Sequence, residues 1–168
     1  MVPKGLLEKL NEQITHEFFS AHYYLAMAAY FLGEDLDGFA NFFKVQAEEE
    51  KFHAMKFFDY VSDQGEIPVI KGFKDPRTDF SSPQEVFELA LKHEQLVTGL
   101  IYELMDQAQK DKHHPSISFL QWFVDEQVEE EATMGKLVKK IQRVGGEGAG
   151  LLMLDQELAA RTYTPPAK

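Results

Sequence analysis

The stretch AEEEKFHAMKFF, Ala47–Phe58, combines three consecutive glutamates with a histidine that follows the last of them by three residues. Apolar residues stand three and seven positions before Glu50, and four and seven positions after it. Residues three or four apart share one face of an α-helix, because each residue turns the helix by about 100°. Glu50 and His53 therefore lie in the apolar stripe of a helix, where both can reach one metal ion.

Composition limits the classes of protein to which the chain can belong. Its 168 residues are 44% hydrophobic and 27% charged, which fits one globular domain with a sizeable core. The net charge of −11 argues against nucleic acid or anionic lipid as a partner and favours cations. Cysteine is absent, which excludes disulfides and thiolate metal sites. We expect a cytoplasmic protein without a signal peptide or a membrane span.

Hydrophobic periodicity predicts helices and no strands. Apolar residues at steps of three and four predict a first helix from Lys4 to Phe31. A second helix is predicted from about 36 to 62, with Asp35 as its N-cap. Residues 65–82 are rich in turn formers and predict a long loop. Such a loop would carry the chain back along the bundle, so that the third helix runs parallel to the second.

The sequence Ser82-Pro83-Gln84-Glu85 predicts the start of that third helix. Ser82 is expected to cap it, Pro83 to occupy its first position, and Glu85 to complete a capping box. The pattern continues to about residue 110.

A fourth helix is predicted for about 115–144, followed by a glycine-rich break and a short fifth helix at about 148–161. The tail, 162–168, is expected to be irregular. We therefore predict a single all-α domain, 1–168, built on a four-helix bundle of about 4–144. A long crossover loop joins helices two and three, and a short C-terminal fifth helix is appended.

The two halves of the chain repeat with an offset of 77 residues. His16-Glu17 recurs as His93-Glu94, and Glu50-x-x-His53 falls on Gln127-x-x-Glu130. In a bundle with approximate two-fold symmetry, equivalent positions on the four helices come to one level. Carboxylates gathered there would repel one another, and a pair of divalent cations would relieve that repulsion. The polar residues that converge are Glu17, Glu50, His53, Glu94, Gln127 and Glu130.

This pattern resembles the ferroxidase centre of the prokaryotic non-haem ferritins. The resemblance covers nearly the whole chain, and WFVDEQVEEE (122–131) is, like the opening stretch, very similar to what that family carries. It implies an iron-storage protein of iron homeostasis that oxidises Fe(II) to Fe(III) with dioxygen or hydrogen peroxide. It also implies a hollow homo-oligomeric shell of 24 subunits that holds the ferric mineral, with the fifth helix lining a four-fold axis.

The resemblance implies a di-iron centre. Glu17, Glu50 and His53 would hold the first iron. Glu50 would bridge to a second iron, completed by Glu94 and Glu130.

Further roles follow from the same resemblance. Tyr24 and Gln127 would stand beside the two irons as hydrogen-bonding or redox-assisting groups. A third iron position nearer the inner surface would use four glutamates: Glu49, Glu126, Glu129 and Glu130.

Two departures from related families limit the type of metal site that we expect. Gln127-x-x-Glu130 stands where the di-iron archetype has a second Glu-x-x-His, which argues against a rubrerythrin-type or bacterioferritin-type site. Lys51 stands where bacterioferritins have a haem-ligating methionine, so we predict no haem. Two alternatives remain open: a small di-iron bundle that reduces peroxide, and a bundle that binds metal without turnover. The remaining histidines are interpreted as surface or hydrogen-bonded residues: His16, His22, His93, His113 and His114.

Overall fold

A computed structural model describes residues 1–166 of the chain. Within these residues there is no strand, which confirms the all-α prediction. No helix in this part of the chain is both long enough and apolar enough to cross a membrane. Residues 162–166 have no regular structure, and the last two residues of the predicted tail lie outside the described residues. The helices are α1 (Lys4–Gly33), α2 (Asp37–Asp63), α3 (Pro83–Lys110), α4 (His114–Val144) and α5 (Ala149–Ala159).

Aromatic contacts establish the directions of the first three helices. Phe31, near the end of α1, stacks on Phe39 at the start of α2, with ring centroids 5.0 Å apart. α1 and α2 are therefore antiparallel. Phe87, near the start of α3, packs on Phe39 and on Phe43 with centroid distances of 5.7 and 4.9 Å. The starts of α2 and α3 lie side by side, so these helices run parallel and the predicted crossover is confirmed.

The core consists of two apolar clusters. The first joins the beginnings of α1 and α4 to the ends of α2 and α3, and the second joins the opposite ends of these helices to α5. Burial of each large apolar side chain stabilises the fold by roughly 1.5–3 kcal/mol. The first cluster includes Leu10, Phe57, Ile101 and Phe123. The second includes Phe31, Phe43, Phe87, Ile141 and Leu154.

Asp35 does not cap α2, so that prediction is wrong. Its backbone takes a left-handed φ of 57°, and its N–H donates to the carbonyl of Leu32 at 3.3 Å. The N–H of Leu36 donates to the carbonyl of Phe31 at 2.9 Å. This pair of bonds is a Schellman motif that closes α1, and an aspartate tolerates the left-handed position it requires. Asp35 therefore ends one helix instead of starting the next.

The cap of α2 comes from the other end of the chain. Leu36 occupies the N-cap position and makes no side-chain cap hydrogen bond. Instead, Oδ1 of Asp155 on α5 accepts a hydrogen bond from the backbone N–H of Phe39 at 2.9 Å. One of the orphan N–H groups at the start of α2 is thereby satisfied by a tertiary contact.

At the start of α3, Ser82 is the N-cap as predicted, but Glu85 does not make the reciprocal hydrogen bond of a capping box. Oγ of Ser82 accepts the N–H of Glu85 at 3.1 Å, as expected. The Glu85 carboxylate accepts the N–H of Ser81 at 2.7 Å, one residue earlier than a capping box would place it. Before this point the crossover loop is fixed to α1, because Oδ1 of Asn11 accepts the N–H of Val69 at 2.7 Å.

α5 approaches the start of α2 where only glycine fits. A Cβ on Gly38 would lie 1.7 Å from the carbonyl oxygen of Asp155. That oxygen belongs to the backbone of α5, so it cannot be relieved by a side-chain rotation. An alanine at this position would have to push α5 away and break the cap that Asp155 provides.

We expect Gly38→Ala to lower the free energy of unfolding by at least about 1 kcal/mol, although alanine is the better helix former. Chemical denaturation followed by circular dichroism measures this change. Gly99→Ala is the matched control, because Gly99 lies within α3 and an added Cβ there meets nothing within 4 Å. It should gain about 0.5–1 kcal/mol. Equal responses of the two variants would contradict the close approach of α5.

Candidate metal centre

A polar layer separates the two apolar clusters. On each long helix the layer residues fall between a residue of the first cluster and one of the second; on α1, for example, Glu17 lies between Ile14 and Ala21. All six side chains that the repeat brings to one level are no more than 5% exposed. Their burial agrees with the predicted inward orientation. These side chains are Glu17, Glu50, His53, Glu94, Gln127 and Glu130.

Glu17, Glu50 and His53 form the first group that fits a metal ion. Each offers one ligand atom, and the three atoms lie within 4.8 Å of one another. Nδ1 of His53 lies 3.3 Å from Oε2 of Glu50. Oε2 of Glu17 is buried without a hydrogen-bond partner among the described residues. A buried carboxylate oxygen without a partner is costly, and a cation would satisfy it. Two carboxylates and an imidazole suit iron among the first-row metals.

His53 also belongs to a second such group, with Glu126 and Glu130. Nε2 of His53 lies 3.9 Å from Oε1 of Glu126. The two ring nitrogens of His53 thus face carboxylates on opposite sides. Glu126 and Glu130 come together as expected for the third position, but with His53 instead of Glu49 and Glu129.

The other two glutamates expected at the third position lie elsewhere. Glu129 is exposed on α4. Glu49 forms an ion pair with Arg161, whose Nη2 lies 2.8 Å from Oε2 of Glu49. Neither residue belongs to a metal-sized group in residues 1–166.

Glu94 is completely buried and is held by hydrogen bonds. The hydroxyl of Tyr24 donates to its Oε1. Nε2 of Gln127 donates to its Oε2 at 3.1 Å. Glu94 does not belong to either metal-sized group of the described residues. The two residues expected beside the metal pair therefore contact one of the expected ligands directly.

Two further glutamines that the sequence pattern did not single out belong to the layer, and each stands four residues before a layer glutamate on its own helix. Gln13 and Gln46 are both buried. With Gln127 they form a set in which each amide N–H donates to a carboxylate. A neutral donor orients a carboxylate and leaves its negative charge available for a cation. The bonds are Gln13 to Glu17 at 2.9 Å, Gln46 to Glu130 at 3.0 Å and Gln127 to Glu94 at 3.1 Å.

Burial and mutual repulsion raise the pKa values of three layer carboxyls, those of Glu50, Glu94 and Glu130. Burial, followed by the charges of neighbouring glutamates, holds the pKa of Glu50 well above its usual range. Burial raises the pKa of Glu94 to about 7, even though the Tyr24 and Gln127 hydrogen bonds oppose the shift. Burial and then the charge of Glu94 raise the pKa of Glu130 to about 8. The metal-free layer therefore holds protons near neutral pH, and a bound cation displaces them.

Tyr24 stays protonated in this environment. Burial, followed by the charge of Glu94, raises its pKa well above the ordinary value of 10.0. The phenol therefore serves as a hydrogen-bond donor to Glu94 at every pH at which the layer carboxyls titrate.

The raised pKa values predict that the metal-free protein loses stability as the pH rises. The protonated forms of Glu94 and Glu130 contribute stability that is fully present below the ordinary pKa of 4.5 and is lost as the pH passes about 7 and about 8. We expect the free energy of unfolding, measured with a chelator present, to fall between about pH 5 and pH 8.

Glu130→Gln removes one of the titrating groups and should flatten this slope. Addition of Zn²⁺ to the parent at the upper end of the range should restore stability, because the cation replaces the lost protons. A slope that is the same in the variant and the parent would contradict the role of Glu130.

Comparison with known proteins agrees with the fold. Residues 7–144 match the family described as ferritin-like domain. A protein of Staphylococcus haemolyticus called bacterial non-heme ferritin is 47% identical over 163 residues, which cover 97% of this chain and 98% of that protein. A protein of the same name from Staphylococcus aureus (strain USA300) is 45% identical with the same coverage.

Solved structures show the same relationship. An Archaeoglobus fulgidus ferritin engineered into a closed form superposes with a TM-score of 0.96 at 42% identity, covering 98% of this chain and all of that one. A structure of the open-pore ferritin of that archaeon gives a TM-score of 0.95 at 41% identity and covers 96% of this chain.

Proposed function

Since this chain belongs to the ferritin family and is similar to bacterial non-haem ferritins along nearly its whole length, we propose that it stores iron and is a ferroxidase. Fe(II) is the substrate, and the ferric product is held inside a shell built from copies of the chain. The observation that carries the proposal is the buried group of Glu17, Glu50 and His53, in which one carboxylate oxygen has no hydrogen-bond partner within residues 1–166.

The layer side chains bind and position the substrate. Glu17, Glu50 and His53 hold one Fe(II), and Glu50 bridges to a second that Glu94 and Glu130 complete. Each Fe(II) gives one electron, so two irons reduce one dioxygen to hydrogen peroxide with the uptake of two protons. Carboxylate oxygens are hard ligands and favour the ferric product. No haem takes part in this proposal.

Other side chains of the layer orient the ligands, and two of the ligands release protons when cations bind. Tyr24 and Gln127 hold Glu94 by its two oxygens and so limit its rotation. The carboxyls of Glu94 and Glu130, with their raised pKa values, lose protons when cations bind. In the metal-free state these carboxyls keep their protons, so fewer negative charges are buried close together and the protein is less destabilised.

The chain is also proposed to assemble into a shell and to act in the cytoplasm. Large apolar side chains are exposed on α1, on the crossover loop and on α5, and assembly of a homo-oligomer of 24 chains would cover them. A negatively charged, cysteine-free chain that handles Fe(II) is proposed to act in the cytoplasm. The exposed side chains include Leu25, Ile67, Ile70, Leu152 and Met153.

Aerobic addition of Fe(II) to the metal-free protein tests the activity, with oxygen consumption and ferric absorbance followed together. We expect rapid oxidation of two irons per chain, then continued loading into a soluble product of the size of a shell. Oxidation no faster than in protein-free buffer would instead support a bundle that binds metal without turnover. Rapid oxidation by hydrogen peroxide in a small oligomer would support a peroxide-reducing protein.

Glu50→Gln should slow the rapid phase by at least about 100-fold, because changing even a group that only supports a metal ligand typically lowers activity by about 10- to 100-fold. The change keeps the size of the side chain and removes the charge that bridges both irons. Stopped-flow absorbance after mixing with Fe(II) and oxygen measures the rate.

Glu48→Gln is the matched control, because Glu48 belongs to the same run of glutamates but is exposed. It should oxidise iron at the parent rate. A Glu50→Gln variant that folds and oxidises iron as fast as Glu48→Gln would refute the assignment of Glu50.

A further inference from the structure

A chain of hydrogen bonds leads out of the polar layer between α3 and α4. Nε2 of Gln127 donates to Oε2 of Glu94 at 3.1 Å and to Oγ1 of Thr98 at 3.2 Å. The hydroxyl of Thr98 in turn donates to Oε1 of Glu131 at 2.6 Å. Gln127 and Thr98 are buried, whereas Glu131 is partly exposed at the outer end of the chain. The expected metal ligand Glu94 is thus connected, through two neutral side chains, to a carboxylate that belongs to neither metal-sized group of the described residues.

Each bond in this chain fixes the direction of the next one. A threonine hydroxyl has a single hydrogen, and here an oxygen of Glu131 accepts it. Oγ1 of Thr98 therefore presents only lone pairs to Gln127. The nitrogen of the Gln127 amide must face Thr98, and the same nitrogen faces the carboxylate of Glu94.

Without an acceptor at Glu131, the hydroxyl of Thr98 would be free to donate elsewhere. A threonine within a helix often donates to the carbonyl four residues earlier, which here belongs to Glu94. That carbonyl instead accepts Nε2 of Gln127 at 3.2 Å. The freed hydroxyl would also favour a Gln127 amide turned by 180°, whose oxygen would lie against Oε2 of Glu94. Either change weakens or removes the donor that holds this carboxylate.

The internal repeat supports a specific role for this chain, because the two halves of the bundle differ at these positions. At the offset of 77 residues, Thr98 and Glu131 correspond to Ala21 and Ala54, neither of which has a hydrogen-bonding side chain. The hydroxyl and the additional carboxylate therefore occur only in the half in which the layer has an amide, Gln127, where the other half has a carboxylate.

We propose that Thr98 and Glu131 are positioning residues for the second metal ion. They hold Gln127 as a hydrogen-bond donor, and Gln127 and Tyr24 together fix the carboxylate of Glu94 by both of its oxygens. Partners behind a ligand orient it and commonly affect metal affinity, although they do not touch the reacting atoms. The inference rests on the proposed function, because it takes Glu94 to be a ligand of the second ion.

Anaerobic titration of the metal-free protein with Co²⁺ measures this role without turnover, by calorimetry and by the visible absorbance of the bound ion. We expect two ions per chain in the parent. Thr98→Val keeps the shape of the side chain but removes the hydroxyl, so binding of the second ion should weaken about fivefold, the effect of one ordinary hydrogen bond. The absorbance of that ion should also change, because Glu94 is less firmly oriented. Binding of the first ion, by Glu17, Glu50 and His53, should stay the same.

Two further variants separate the hydroxyl from packing. Thr98→Ser restores a hydroxyl in a smaller side chain and should recover most of the affinity for the second ion. Thr15→Val is the matched control, because Thr15 lies on α1 two residues before Glu17 and its hydroxyl has no hydrogen-bond partner within residues 1–166. It should bind both ions as the parent does. An equal loss in Thr15→Val and Thr98→Val, or no recovery in Thr98→Ser, would overturn the inference.

Glu131→Met removes the acceptor and completes a double-mutant cycle. In the parent background it should weaken binding of the second ion about as much as Thr98→Val does. In the Thr98→Val background it should add much less, because the hydroxyl through which Glu131 acts is gone. An equal loss in both backgrounds would show that Glu131 acts only as a negative charge that attracts the cation, and would contradict its role in the chain.

The outcomes distinguish this inference from the proposed function. Two ions bound with the same affinities by the parent, Thr98→Val and Glu131→Met would overturn the positioning role and leave the metal centre intact. A parent that binds fewer than two ions per chain would refute the proposed metal pair itself. Should Thr98→Val fail to fold, Glu131→Gln, which keeps an acceptor oxygen, is compared with Glu131→Met. The glutamine variant should bind the second ion more tightly, and equal affinities would overturn the inference.

Discussion

Four carboxylates buried within one layer of a helical bundle are the constraint on which the rest of this structure depends. Removing charged groups from water and placing them near one another costs several kcal/mol for each uncompensated ion. Two apolar clusters, one on each side of the layer, supply the stabilisation that offsets this cost. Burial, followed by the charges of neighbouring carboxylates, raises the pKa values of Glu94 and Glu130, so protonation lowers this cost when no metal is bound.

Four neutral side chains donate hydrogen bonds to these carboxylates. Gln13, Gln46 and Gln127 each donate one amide hydrogen, and Tyr24 donates a hydroxyl. No lysine or arginine in residues 1–166 forms an ion pair with the four buried glutamates. A resident cation would stabilise the metal-free protein but would also occupy the ligands. Neutral donors fix the carboxylates in place and leave their charge for a metal ion, which is the arrangement that a site for exchanging cations requires.

α5 connects the end of the chain to this site. Asp155 caps α2, Gly38 allows the two helices to approach, and Asn41 holds the residues that follow α5. Arg161 is thereby delivered to Glu49, next to the layer but outside it. This short helix thus supports both the start of α2 and the ion pair of Glu49 at one edge of the candidate metal centre.

The sequence by itself determined the helices, the crossover and the level at which six polar residues meet. These features depend on periodicity and on the repeat between Glu17 and Glu94, which are properties of spacing along the chain. Tertiary structure alone decided that Asp155 replaces Asp35 as the cap of α2 and that Arg161 engages Glu49. Each of those bonds joins residues more than 100 positions apart, through hydrogen bonds with separations of 116 and 112. Such contacts depend on how helices dock and on which rotamers the docking permits, and no local pattern of residues encodes either.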